Sequence, residues 1–273
     1  MRKYGLPYQG SKNRIAEQIV DLLPKNDCLV DLFCGGGAIT DAAIDSKKWN
    51  HFIINDVQKG ISQAVAHTFK VGANGADHWV SREEYQTRLF DDPMMRLLWS
   101  FGGNGRSYFC DPQKEALKKL AFELVTSNNQ DTRYKAYRKL ITTLRDDIGS
   151  IPKSLEFLEP VVRAKNLIPL KKDPSIKVEH FEGDYQAVPI PENATIYCDI
   201  PYKDAERYRY APKFDYERFY SWCAKQTAPL YISEYDMPRD RFVCVYEKNL
   251  TCTFDARKTK NSIERVFVPK HQA

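Results

Sequence analysis

One stretch early in the chain does most to limit the fold. Cys28-Leu29-Val30-Asp31-Leu32-Phe33-Cys34 has the compact apolar pattern of a buried strand, and it runs straight into Gly35-Gly36-Gly37. A helix is predicted from Ala38 to about Lys48, then a second strand, His51-Phe52-Ile53-Ile54-Asn55, that ends at Asp56. Strand, glycine loop, helix, strand and acid in this order open a nucleotide-binding α/β sheet. The glycines let backbone approach a ligand closely, and the helix N-terminus aims free N–H groups at it. Asp56, 19 positions beyond Gly37, is placed to accept hydrogen bonds from both hydroxyls of a ribose. The loop lacks the Lys-Ser/Thr of a phosphate-binding P-loop, and no third glycine stands where the dinucleotide fingerprint needs one. A ligand with an adenosine and no phosphates fits. S-adenosylmethionine is such a ligand, and Lys12 could pair with its carboxylate.

Around this unit the chain alternates, pauses and resumes. Tyr8-Gln9-Gly10-Ser11-Lys12 is turn-like, with Ser11 the predicted N-cap of a helix whose Ile15, Ile19, Leu22 and Leu23 share a face and which Pro24 stops. After a helix over 57–69, with Ile61, Val65 and Phe69 on one face, the α/β alternation ends. From about 81 to 167 the pattern is helical and polar. Ser81 with Glu84 reads as a capping box. Asp111-Pro112 opens a helix with a Leu117, Leu120, Ala121, Leu124 stripe, and Asp131 opens another with Tyr137, Leu140, Ile141 and Leu144. Between lies the glycine-rich loop Ser100 to Tyr108. Residues 101–175 hold 14 Lys and Arg against 9 Asp and Glu, so this third carries the whole net charge of +5. A neutral core with a basic middle suits nucleic acid, although a solvated helical face would give the same count. The expected organisation is an α/β core of 1–75 and 176–273 with a helical subdomain, 76–175, inserted.

The α/β pattern returns at Lys177 to Phe181, followed by Gly183-Asp184-Tyr185, where Asp184 could meet an adenine edge while Tyr185 packs its face. Ala194-Thr195-Ile196-Tyr197-Cys198 is a short buried strand, and it delivers Asp199 at its C-terminal end, where open α/β sheets place their ligands. Ile200-Pro201-Tyr202 then makes a stiff extended unit beside that carboxylate, suited to gripping a flat polar group such as a nucleobase. Alone, this stretch reads more readily as a strand ending in a polar turn. Arg207-Tyr208-Arg209-Tyr210 alternates phosphate-binding and base-stacking side chains. Asp215 caps a helix whose Phe219, Trp222 and Cys223 face inward, and strands are predicted at 230–233, 241–247, 249–254 and 263–268.

Composition excludes several classes. At 273 residues with 42% hydrophobic content the chain can bury a sizeable core. No apolar run approaches the roughly 18 residues of a membrane span, and no signal-peptide apolar region opens the sequence, so a cytoplasmic protein is expected. The seven cysteines are scattered with no C-x-x-C, which suggests buried reduced thiols and neither a zinc site nor a redox pair. No metal is expected.

Together these pieces resemble the Dam-like class of N6-adenine DNA methyltransferases, in which cofactor motifs come first, a target-recognition segment second and a D-P-P-Y motif third. The resemblance spans nearly the whole chain, least securely in 110–170. Tyr8 to Lys12, with Ser11, matches the motif that holds the methionine end of S-adenosylmethionine. Asp31 to Gly37 matches the D-x-F-x-G-x-G cofactor loop and implies cofactor roles for Asp31, Phe33, Gly35 and Gly37. Asp56 matches the ribose-binding acid, Asp184-Tyr185 the pair near the cofactor's adenine, and Asp199-Ile200-Pro201-Tyr202 takes the place of D-P-P-Y. Ser100-Phe-Gly, the start of the Phe214 helix, Ser233-Glu-Tyr and Glu264-Arg-Val-Phe-Val match as well.

The implied fold is a Rossmann-like, S-adenosylmethionine-dependent methyltransferase core with an inserted helical target-recognition subdomain. The implied activity is methylation of adenine N6 in double-stranded DNA, with Asp199, Ile200, Pro201 and Tyr202 forming the pocket for a flipped base. A monomer is the simplest assembly. Asn104, Arg106, Lys114, Lys118, Arg133, Lys135, Arg138, Arg207 and Arg209 are the expected DNA contacts. Ile200 is the departure from the motif: its carbonyl remains, and Pro201 should keep it extended. Alternatives stay open: a weakened or inactive DNA-binding relative, or a methyltransferase acting on cytosine N4 or protein glutamine. Methylation at cytosine C5 is disfavoured, since no Pro-Cys dipeptide supplies its nucleophile.

Overall fold

The computed structural model describes residues 4–71, 78–148, 173, 175–203, 214–252 and 260–273. They fall into two compact units, one drawn from 1–14, 35–38 and 63–174, the other from 15–34, 39–62 and 175–273.

The second unit is built on a seven-stranded sheet. Its strands are β1 (Cys28–Asp31), β2 (His51–Asp56), β3 (Lys177–Glu182), β4 (Ala194–Asp199), β5 (Leu230–Glu234), β6 (Phe242–Cys252) and β7 (Lys260–Pro269), in the spatial order β3-β2-β1-β4-β5-β7-β6. The first five run parallel, and β7 and β6 close the sheet as an antiparallel hairpin. In chain order, helices α1 (Ala16–Leu22), α2 (Ala38–Ser46) and α3 (Ile61–Val71, almost all of it in the first unit) alternate with the first strands, and α8 (Tyr216–Cys223) precedes β5. β1 and β4 are buried along nearly their whole length, as strands covered on both faces must be. The chain winds outward from β1 through β2 to β3 and returns to β4 on β1's other side. The strand order therefore reverses between β1 and β4, which creates the crevice where open α/β sheets bind ligands.

Local structure departs from the sequence reading at three points. Ser11 caps no helix: α1 starts at Ala16 without a side-chain cap, and the Ser11 N–H instead closes a turn onto the Tyr8 carbonyl at 3.2 Å. Ile15, Ile19 and Leu23 do form the buried face, and Lys48 Nζ donates to the Val20, Asp21 and Leu23 carbonyls at the helix end. The two strands predicted over 241–254 are one, β6, because an irregularity between Cys244 and Tyr246 absorbs the break without ending the ladder.

The first unit holds α4 (Arg82–Arg88), α5 (Pro93–Leu98), α6 (Pro112–Thr126) and α7 (Gln130–Ile148). Ser81 accepts the Glu84 N–H at 3.1 Å, which is one half of the predicted capping box, while the Glu84 carboxylate accepts from Arg88 at 2.7 Å. The cap of α7 is Asn129 rather than Asp131, through Oδ1 and the Thr132 N–H at 2.9 Å. Leu117, Ala121 and Leu140 bury the α6–α7 seam, while Trp79, Trp99, Phe109 and Phe122 pack edge to face into a second core. Among the described residues no helix is long and apolar enough to cross a membrane.

Candidate functional site

Three carboxylates end three neighbouring parallel strands: Asp56 on β2, Asp31 on β1 and Asp199 on β4. Asp31 is 2% exposed. Thr40 donates to its Oδ2 at 2.8 Å, and the buried Oδ1 makes no hydrogen bond. Burial pushes the Asp31 carboxyl up to about 7; the negative charges of Asp199 and Asp56 add to the shift, and the Thr40 hydroxyl works against it. Asp56 is also buried; its Oδ1 accepts the Gln58 N–H at 2.8 Å and its carbonyl accepts the Gly183 N–H at 3.1 Å. Asn55, which the sequence reading passed over, binds the crevice loops together by donating to the Leu32 carbonyl at 3.0 Å and the Gly183 carbonyl at 3.2 Å. Val57, directly after Asp56, leaves an apolar side chain 59% exposed.

Beside these acids lies an aromatic cluster. Phe33 packs on Tyr185 with ring centroids 5.4 Å apart, and Tyr185 meets Phe219 at 5.5 Å and Trp222 at 5.2 Å. Tyr185 is thus buried among protein rings. Asp184 accepts the Gln186 N–H at 3.0 Å and pairs with Arg218 at 2.6 Å. Burial alone would raise its carboxyl, but the Gln186 N–H and the Arg218 guanidinium outweigh that and hold it below the usual range.

The 199–202 stretch leaves β4 into a tethered loop. The Ile200 side chain is 1% exposed and belongs to the sheet's apolar core. Pro201 accepts from the Tyr216 hydroxyl at 2.8 Å, and Tyr202 donates its hydroxyl to Glu264 Oε2 at 2.8 Å. The Tyr202 ring, 8% exposed, stands edge-on to Tyr235 at 4.4 Å. Burial, with Asp199 and Glu264 nearby, pushes its phenol well above the ordinary value, so it is a neutral donor. Nothing in the local pattern pairs Asp184 with Arg218 or Pro201 with Tyr216, since both partners lie on α8 and meet them only in the folded chain.

In the first unit the N-terminal motif is in contact with the glycine loop. A Cβ on Gly35, whose φ is +48°, would lie 2.8 Å from the Tyr8 ring. Gly36 accepts the Leu6 N–H at 2.7 Å through its carbonyl. The nearest protein neighbour these glycines admit is therefore the Leu6–Tyr8 segment. Ser11 Oγ is buried without a hydrogen-bond partner, and Lys12, also buried, donates to the Gly10 carbonyl at 3.4 Å.

The expected DNA contacts divide. Asn104 accepts the Arg106 and Ser107 N–H groups and donates to Ser107 Oγ, so its side chain shapes its own loop. Arg133 donates to the Leu124 carbonyl at 3.1 Å, and Lys118 is half-buried. Arg106, Lys114, Lys135 and Arg138 are exposed. Tyr134 and Tyr137, 62% and 47% exposed, flank the last two on α7. Arg207 and Arg209 lie outside the described residues. Among the described residues, no cluster of three or more His, Cys, Asp or Glu side chains could hold a metal ion.

Comparison with known proteins gives three results. Residues 8–150, just over half of the chain, match a family model described as D12 class N6 adenine-specific DNA methyltransferase. A solved structure from Haemophilus influenzae, provisionally described as a methylase, aligns over 96% of this chain and 90% of its own at 11% identity and a TM-score of 0.34, too slight a likeness to assign any residue a role. A search of curated proteins returns no match.

Proposed function

The chain belongs to the D12 class of N6 adenine-specific DNA methyltransferases, and on that premise we propose that it takes its methyl group from S-adenosylmethionine and passes it to an adenine held at Asp199-Ile200-Pro201-Tyr202. The observation that carries this reading is the convergence of Asp31, Asp56 and Asp199 on one sheet edge, where their mutual repulsion helps raise Asp31. A crevice whose strand ends carry three acids suits a cationic ligand, so a sulfonium with an ammonium group fits it better than a phosphate-bearing nucleotide does.

The residues present fit the cofactor. Asp56 would accept from its ribose hydroxyls, with exposed Val57 as an apolar flank for the purine. The methionyl end is assigned to Tyr8, Ser11 and Lys12, where the unpartnered Ser11 Oγ has capacity for a ligand group. Gly35, Gly37 and Phe33 belong to the connecting loop, and Asp184-Tyr185 to its adenine side. When bound, S-adenosylmethionine supplies a methyl group already activated by positive sulfur.

The protein's own task is to prepare the acceptor. An adenine amino group is a poor nucleophile because its lone pair is delocalised into the ring. The Asp199 carboxylate and the Ile200 carbonyl are assigned to accept its two hydrogens, which favours the pyramidal form whose lone pair can attack. Positioning supplies most of the remainder. The Tyr202 ring is assigned to the face of a base turned out of the duplex. DNA binding falls to the 76–175 segment, and the α7 face bearing Lys135 and Arg138 beside Tyr134 and Tyr137 is best suited to phosphate and sugar contact.

Nucleoside analysis of DNA incubated with protein and cofactor tests the reading, alongside calorimetric binding of the cofactor to wild type and Asp56→Ala. N6-methyladenine, with weaker cofactor binding in the variant, is the expected result. N4-methylcytosine, or cofactor affinity indifferent to Asp56, would overturn it.

A further inference from the structure

In a D-P-P-Y loop two prolines fix φ at successive positions and leave the backbone little freedom. This chain has Ile200 in place of the first, so one backbone torsion is unlocked just where an acceptor carbonyl must be held still. A displacement of about 1 Å there is enough to cost on the order of a hundredfold in rate.

Each residue of the loop after Asp199 has its own tether. Ile200 is anchored by its side chain in the sheet core. The Pro201 carbonyl accepts from the Tyr216 hydroxyl at 2.8 Å, and the Tyr202 hydroxyl donates to Glu264 at 2.8 Å. The Lys203 N–H donates to Glu234 Oε2 at 3.2 Å, while the other oxygen of Glu234 takes the Tyr235 N–H at 2.6 Å. Glu234 is 2% exposed, so this bridge from the loop to the end of β5 is shielded from water. The partners lie 15, 62 and 31 positions away in sequence, on three different elements. Three independent elements bonding three consecutive residues, next to a core-anchored Ile200, is more than a turn needs for its own satisfaction.

We propose that Tyr216, Glu234 and Glu264 are positioning residues that hold the 200–203 backbone in the shape a second proline would otherwise impose, with the Tyr216 hydroxyl the principal one. Its bond fixes the plane of the peptide that follows Pro201, and so restrains the joint between the carbonyl of residue 200 and the Tyr202 ring. The proposal rests on the reading of 199–202 as the methyl-transfer site, but its structural half stands apart from activity.

The experiment is a double-mutant cycle of Tyr216→Phe and Ile200→Pro in the full chain, read by amide hydrogen exchange at Tyr202 and Lys203, which keep their N–H in every variant, and by kcat and KM for methyl transfer. In the Ile200 background, losing the hydroxyl should speed exchange and lower kcat about five- to tenfold, the worth of one hydrogen bond, with KM for the cofactor unmoved. In the Ile200→Pro background the same change should cost about twofold or less, since the ring now supplies the restraint. Equal losses in both backgrounds, or exchange unaltered by Tyr216→Phe, overturn the proposal. A wild type that transfers no methyl overturns the functional reading instead, and the exchange cycle then decides this one alone. If Ile200→Pro does not fold, Glu264→Gln against Glu264→Ala decides it: Gln keeps an acceptor and should preserve slow exchange at 202–203, Ala should not, and identical exchange in the two overturns the proposal.

Discussion

Replacing Asp31 with asparagine should stabilise the cofactor-free protein at alkaline pH while weakening cofactor binding. The Asp31 carboxyl is raised from its ordinary 3.8 to about 7 by burial, by Asp199 and by Asp56. At about 1.36 kcal/mol per unit, ionising it in the folded state costs on the order of 4 kcal/mol. A carboxyl raised on folding binds more protons folded than unfolded between those two pH values. The folded state therefore carries no penalty below the unfolded value, loses stability as pH rises, and carries all of it above about 7. Asparagine is neutral throughout. Its oxygen can still accept from Thr40, but its amide N–H groups would sit where Oδ1 has no partner, a cost of about 1–3 kcal/mol that does not vary with pH. Urea unfolding of both proteins at about pH 5 and about pH 8.5 should show the variant's relative stability rising by roughly 3 kcal/mol across the range. A difference that stays constant with pH would mean that folding does not raise the Asp31 carboxyl. A cation bound beside Asp31 should also drive its proton off, so calorimetry near neutral pH in buffers of different ionisation heat should report proton release in wild type and none in the variant.

Other expectations follow from single contacts. Gly35→Ala puts a methyl 2.8 Å from the Tyr8 ring on a left-handed backbone, and should lower cofactor affinity by calorimetry, as the loop or Tyr8 must move. Ile200→Ala should cost about 2–5 kcal/mol in urea unfolding, because the side chain is wholly within the core. Neutralising Lys135 and Arg138 together should reduce the slope of log affinity for DNA against log salt by about 2, whereas neutralising Arg133, which is bonded to the Leu124 carbonyl, should change it less.

Much of this was readable in the sequence, for a definite reason. β1, β2 and β4 are short apolar runs ending in Asp, and period and burial fix such elements locally. The acids at their ends followed from strand direction alone. The caps were harder. Ser11 and Asp131 are plausible caps by residue type, but α1 begins only at Ala16, well past the position Ser11 would cap, and the choice between Asp131 and Asn129 turns on the exact helix boundary. Charge counting could not separate Arg138 from Arg133: both are exposed, and only the pairing of α6 with α7 ties Arg133 to the Leu124 carbonyl. The ties of Asp184 to Arg218 and Pro201 to Tyr216 are tertiary, with no local signal, and they concern residues of the proposed cofactor and acceptor sites.

Asp199 and its neighbours are proposed to deliver an adenine amino group to an activated methyl. Labelled methyl transfer to double-stranded DNA, resolved by base and run with wild type, Asp199→Ala and Ile200→Pro at equal cofactor saturation, decides whether they do. Wild type should form N6-methyladenine, Asp199→Ala none, and Ile200→Pro close to the wild-type amount. A silent wild type beside an active Ile200→Pro, or label transferred undiminished by Asp199→Ala, would rule that role out.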